Sequence, residues 1–158
     1  MQQFFTVDSA QFEQFCKRAQ HWQQRLGLGD WVCTAMVHAD STLDDASLSG
    51  ANAMISLLVD GHSFRLTCNT QWSIPVNEPN LNYVCLHEMM HLVFADVWEL
   101  AYKACHPALN EQLSKLEHAA IARLTNAFAP AHIRIVQPEI ITPKEWGGVR
   151  GGVQDAAG

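Results

Sequence analysis

Large apolar side chains fall at Phe12, Phe15, Ala19, Trp22 and Leu26, in alternating steps of three and four, and this spacing predicts an amphipathic helix from Asp8 to Leu26. Asp8 is placed to cap it, and Gly27 and Gly29 to end it. Lys17, Arg18 and His21 fall on its polar side and read as a solvated face. The β-rich run from Trp31 to His38 predicts a strand, and the Ser- and Asp-rich stretch from Asp40 to Gly50 a loop. The period then drops to two. Asp60-Gly61 is a type I′ hairpin signal, and pairing outward from it sets Val59 opposite His62, Leu57 opposite Phe64, Ile55 opposite Leu66 and Ala53 opposite Cys68. That face is nearly all apolar. The other carries Met54 with Thr67, Ser56 with Arg65 and Leu58 with Ser63, so an antiparallel sheet with one packed and one largely wet face is expected. His62 reads as a surface residue at a strand end.

Thr70 to Pro79 reads as a loop leading into a second helix, for which Pro79-Asn80 offers a start. Leu81, Val84, Cys85, Leu86, Met89, Met90, Val93 and Val97 give that helix the lining of a buried element. It is expected to run from Leu81 to about Cys105 and to stop before His106-Pro107, because a residue ahead of proline is pushed out of the helical region. Pro107 suits the first turn of a further helix, which Leu109, Leu113, Leu116, Ala120, Leu124 and Phe128 extend to about Ala129. The expected architecture is α+β: a small antiparallel sheet of about three strands packed on an N-terminal helix, a central helix and a following helix. One domain would cover 1–130, and the proline- and glycine-bearing segment 131–158 would form a flexible tail with Trp146 as its one sticky point.

Composition narrows the function classes. Sixteen acidic groups against ten basic ones, with no basic run, argue against nucleic acid as a partner. The start has no basic n-region and no long apolar stretch, and no later run is long enough for a membrane span; a soluble cytoplasmic protein is expected. Five cysteines, at 16, 33, 68, 85 and 105, form no C-x-x-C pair and read as reduced, packed thiols.

The chemistry is concentrated in Cys85-Leu86-His87-Glu88-Met89-Met90-His91-Leu92-Val93. His87 and His91 lie four apart, so on a helix of about 3.6 residues per turn both imidazoles share one face and can grip one zinc ion. Glu88 sits beside such a metal without having to bind it, where it can take a proton from water as general base. This is the H-E-x-x-H pattern of metallopeptidases.

A catalytic zinc usually has three protein ligands and one open position. A third histidine six residues after His91 is absent, since Val97 stands there, and Phe94 stands where that pattern carries glycine. The helix after His91 is therefore expected to continue, bearing Asp96, Glu99, Tyr102 and Lys103. On the helix from 107 to 129, Glu117 lies four after Leu113 and four before Ile121, inside the apolar stripe, where a carboxylate needs a partner. Zinc would be that partner, which makes Glu117 the preferred third ligand, with His118, Asp96 and Glu99 as alternatives. His118, about 100° round the helix from Glu117, is also a candidate, with Asp96 and Tyr102, for supporting the ligands or polarising the substrate carbonyl.

His87-Glu88-Met89-Met90-His91 followed by Glu117 on a separate helix resembles the gluzincin branch of the zinc metallopeptidases (zincins), and the layout over residues 8 to 129 is similar to minimal, single-lobed and small phage-type members. The resemblance implies zinc held by His87, His91 and Glu117, with Glu88 as general base, and hydrolysis of a peptide or protein substrate. Larger gluzincins carry an acidic residue four after the ligand glutamate, where this chain has Ile121. An extended substrate is expected along an exposed strand edge. Two other readings stay open: a zincin-like binding or regulatory module without turnover, and a non-peptidase zinc hydrolase of deformylase type taking a cysteine ligand, for which Cys68 lacks the family's surrounding motif. The tail with Trp146 is a candidate for folding into the cleft.

Overall fold

The structure is a computed structural model, and it describes residues 3–40 and 50–129. The segment 41–49 and everything from 130 onward lie outside the described residues, and with them most of the expected Asp40–Gly50 loop, the expected tail and the Trp146 hypothesis. Among the described residues five strands and four α-helices follow in the order β1 (Phe5–Thr6), α1 (Ser9–Arg25), β2 (Val32–Ala39), β3 (Ala53–Leu58), β4 (Ser63–Asn69), β5 (Gln71–Trp72), α2 (Glu78–Val93), α3 (Ala95–Ala104) and α4 (Asn110–Phe128). The class is α+β, with a small sheet against helices.

The N-terminal helix forms for the reasons its sequence gives. Asp8 accepts from the Gln11 backbone N–H at 2.8 Å, and the Gln11 side chain accepts from the Asp8 N–H at 2.9 Å, so two otherwise orphaned donors are satisfied. Phe15, Ala19 and Trp22 are its buried face. Gly27 follows the helix with φ 71°, a left-handed turn that costs glycine nothing.

The central sheet runs β2-β4-β3. The β3–β4 register pairs Leu57 with Phe64, Ile55 with Leu66 and Ala53 with Cys68, as the alternation dictates. Phe64, Leu66 and Cys68 are buried while Ser56, Leu58 and Arg65 are exposed; Thr67 departs from the pattern and is buried. The turn itself differs from the expected type. Val59–Gly61 forms one 3-10 turn and His62 takes the left-handed conformation at φ 41°, so the reversal spans four residues instead of an Asp60-Gly61 type I′ pair. His62 is held there by stacking on Trp31, ring centres 5.1 Å apart, and by Asp30 at 3.3 Å.

The direction of β2 also differs. It pairs with β4 in parallel, so the sheet is mixed. The chain between β2 and β3 is long enough to carry β3 past β4 to its far side, and no local signal in β2 encodes which neighbour it will find. One consequence is that β3 becomes an outer strand. A short second sheet joins β1 to β5 inside the expected Thr70–Pro79 loop and buries Trp72 completely, edge-on to Phe15.

α2 is the central helix. Asn77 caps it by accepting from the Asn80 N–H at 3.0 Å, and Pro79 sits in its first turn, where a missing N–H is harmless. It packs on α1, α4 and β3. Trp22 Nε1 donates to Asn82 Oδ1 at 2.9 Å, and Cys85 Sγ lies 3.2 Å from the Phe15 carbonyl. The expected single helix from Leu81 to Cys105 is two helices. Phe94 leaves the helical region (φ −110°, ψ 5°), closing α2 and opening α3. Neither glycine nor proline marks the break; Phe94 packs its ring on the core, a tertiary contact that the local pattern does not encode. Among the described residues no helix is long and apolar enough to cross a membrane. All five cysteines are free thiols, Cys68 and Cys85 fully buried.

Candidate active site

A cleft of about 730 Å³ lies between the outer strand β3 and the helices α2 and α4. Along one wall run Ala53, Met54, Ile55 and Leu57; across from them stand His87, Glu88, His91, Glu117 and His118. The i, i+4 spacing on α2 does what helix geometry requires: the rings of His87 and His91 lie side by side, centres 5.4 Å apart. His118, reaching in from α4, stands 5.1 Å from His91 and 6.3 Å from His87, ring centre to ring centre.

Glu88 is buried, 7 % exposed. Loss of water pushes its carboxyl up to about 8, although a hydrogen bond from the Ile55 backbone pulls the other way. A carboxyl with that affinity is suited to accept and return a proton near neutral pH. Burial, reinforced by the charges of His91 and His118, lowers His87 to about 4, so at neutral pH its ring is uncharged and keeps a lone pair for a metal or a proton.

Glu117 and His91 meet across the α2–α4 contact. His91 Nδ1 lies 2.9 Å from Glu117 Oε1, both side chains nearly buried at 12 % and 13 % exposed, and Tyr102 donates its hydroxyl to Glu117 Oε2 at 3.1 Å. Burial alone would raise the Glu117 carboxyl, but the hydrogen bond and charge of His91, the Tyr102 hydroxyl and the His118 charge together outweigh it and hold the group below its ordinary value. The same contact raises Tyr102, first through burial and then because its hydroxyl proton is held by the carboxylate.

These contacts also fix tautomers. An ionised carboxylate and a peptide carbonyl can only accept, so His91 must donate from Nδ1 to Glu117, and His118 must donate from Nδ1 to the Ser114 carbonyl, 2.8 Å away. In a neutral ring the lone pair is then on Nε2 in both cases.

Of the residues singled out by sequence, His87, Glu88, His91, Glu117 and His118 share the cleft, and Tyr102 supports it from α3. Asp96 and Glu99 do not join them. Asp96 is exposed, with Oδ1 4.0 Å from His62 Nε2, and Glu99 pairs with Lys103 at 2.9 Å. The contribution of β3, with the Ile55 backbone at Glu88, had no sequence signal, because it depends on which strand lies outermost.

Zinc can be tested against these residues. Three imidazoles each bound through one nitrogen at about 2.0–2.1 Å, in a tetrahedral arrangement, have ring centres roughly 5 Å apart. The separations of 5.1, 5.4 and 6.3 Å are close to that pattern. Among the described residues no group of three His, Cys, Asp or Glu side chains is already placed to hold a metal ion; the three imidazoles suit zinc in kind, and their ring spacing is near that of a shared ion. No family model, curated protein or solved structure matches this chain.

Proposed function

We propose that the protein is a zinc-dependent metallopeptidase that hydrolyses peptide bonds with Glu88 as general base and with His87 and His91 holding the metal. The reading is carried by one arrangement: a buried glutamate of raised proton affinity that lines the same open cleft as two metal-capable histidines, with an outer strand as its wall. A zinc ion bound there supplies Lewis acidity, which eases deprotonation of water and polarises a carbonyl. Glu88 takes the proton from the attacking water and returns it to the departing amine, so no covalent intermediate with the chain is needed. A substrate in extended form suits the wall made by β3, where main-chain pairing gives affinity and the side chains of Met54 and Leu57 bound the subsites.

A digest of a peptide library by the purified protein, with zinc and with chelator, tests this. Cleavage that needs zinc and disappears in Glu88→Gln, with zinc content unchanged, is the expected result. Zinc-dependent cleavage at the wild-type rate in Glu88→Gln removes Glu88 from the role. Zinc binding without any cleavage favours the module that binds without turnover.

A further inference from the structure

The geometry points to His118 as the third zinc-binding side chain, with Glu117 acting as a positioning residue that holds His91 from behind. This rests on the zinc reading above and changes the ligand set expected from sequence, in which Glu117 came first.

The two nitrogens of an imidazole point to different sides of the ring, so a group held against Nδ1 stands away from whatever Nε2 faces. Glu117 Oε1 is held against His91 Nδ1 at 2.9 Å, and Oε2 is occupied by Tyr102 at 3.1 Å. Each oxygen of the carboxylate thus accepts one hydrogen bond, and the group lies on the Nδ1 side of the His91 ring, away from Nε2. The apolar stripe around Glu117 needed a partner for a carboxylate, and His91 and Tyr102 both hydrogen-bond it.

His118 has the complementary arrangement. Its Nδ1 is tied to the carbonyl of Ser114 one turn back on α4, which fixes the ring and leaves Nε2 to face outward from that helix. Its ring centre is 5.1 Å from His91 and 6.3 Å from His87, within reach of the spacing set by three imidazoles on one ion. Three neutral histidines with an open fourth position form a recurrent catalytic zinc set, and a carboxylate on the outer nitrogen of a ligand histidine is the usual means of fixing its tautomer and raising its basicity. His118 is exposed, which leaves that side of the cleft open to water and substrate.

The test uses the full chain, zinc alone as probe, and two readouts that do not depend on turnover. Nitrogen-15 spectra of histidine-labelled protein should show the resonances of three rings, including Nε2 of His118, shifting on addition of one zinc. By chelator competition, Glu117→Gln should weaken zinc about ten- to a hundredfold while all three resonances still shift. His118→Ala should weaken it by more than about a hundredfold and leave two shifting. A His118 resonance that does not respond to zinc, or His118→Ala binding as tightly as wild type while Glu117→Gln loses zinc, overturns the assignment and leaves the peptidase reading standing. Wild-type protein that takes up no zinc overturns both. Should His118→Ala fail to fold, the wild-type spectrum decides alone.

Discussion

His91 and Glu117, 26 residues apart in the chain, meet at 2.9 Å between Nδ1 and Oε1 and tie the central helix to the last one. Helix α3 adds Tyr102 to the same carboxylate, so three helices share one polar contact at the wall of the cleft. With both partners nearly out of water, losing one leaves the other buried without its hydrogen bond. In metal-free protein Glu117→Ala should cost about 1–3 kcal/mol, and Tyr102→Phe, which removes a single bond, about 0.5–1.5 kcal/mol. Urea unfolding in the presence of chelator measures both. Equal costs would mean that the tyrosine, not the histidine, is the main partner.

Stability of the metal-free protein should depend on pH through Glu88. Its carboxyl rises from 4.5 in the unfolded chain to about 8 in the fold, so the native state holds a proton there that the unfolded state has lost. Stability from this group is complete below pH 4.5 and is lost as pH climbs to 8, at about 1.4 kcal/mol per unit. Glu88→Gln cannot titrate there and keeps the neighbouring His87. Between pH 5.5 and 8.0 wild type should therefore fall relative to Glu88→Gln by roughly 2–3 kcal/mol in urea unfolding with chelator. A constant difference across that range would show that Glu88 is not buried in the way described.

The start of α2 sets the orientation of the helix that carries the motif. Asn77 satisfies the Asn80 N–H, and Asn77→Ala should cost about 0.5–2 kcal/mol, whereas Asn77→Asp or Asn77→Ser should restore most of it. Thermal or urea unfolding of the three variants checks the order. No loss in the alanine variant would place the helix start elsewhere.

Trp72 joins the small β1–β5 sheet to the core and is completely buried against Phe15, ring centres 6.3 Å apart. Trp72→Ala should cost about 3–5 kcal/mol, near the limit for a chain of this size. Soluble expression together with the urea midpoint reports it. A near-neutral result would mean that β5 does not dock as described.

The features encoded within one or two turns of chain were legible without coordinates. Asp8 and the apolar steps to Trp22 fix α1, the alternation on either side of Asp60-Gly61 fixes the β3–β4 register, and four-residue spacing puts His87 and His91 side by side. In each case the information is a period or a cap, and the backbone geometry converts it directly into a face. Tertiary structure alone decided the rest. Whether β2 lies parallel or antiparallel to its neighbour, whether the chain breaks at Phe94, and that Glu117 meets His91 all depend on groups distant in sequence. The stripe position of Glu117 revealed that its carboxylate needed a partner, because burial without one is costly; it carried no information that His91 and Tyr102 would supply it, since both come from other helices and are set beside it only by how those helices pack.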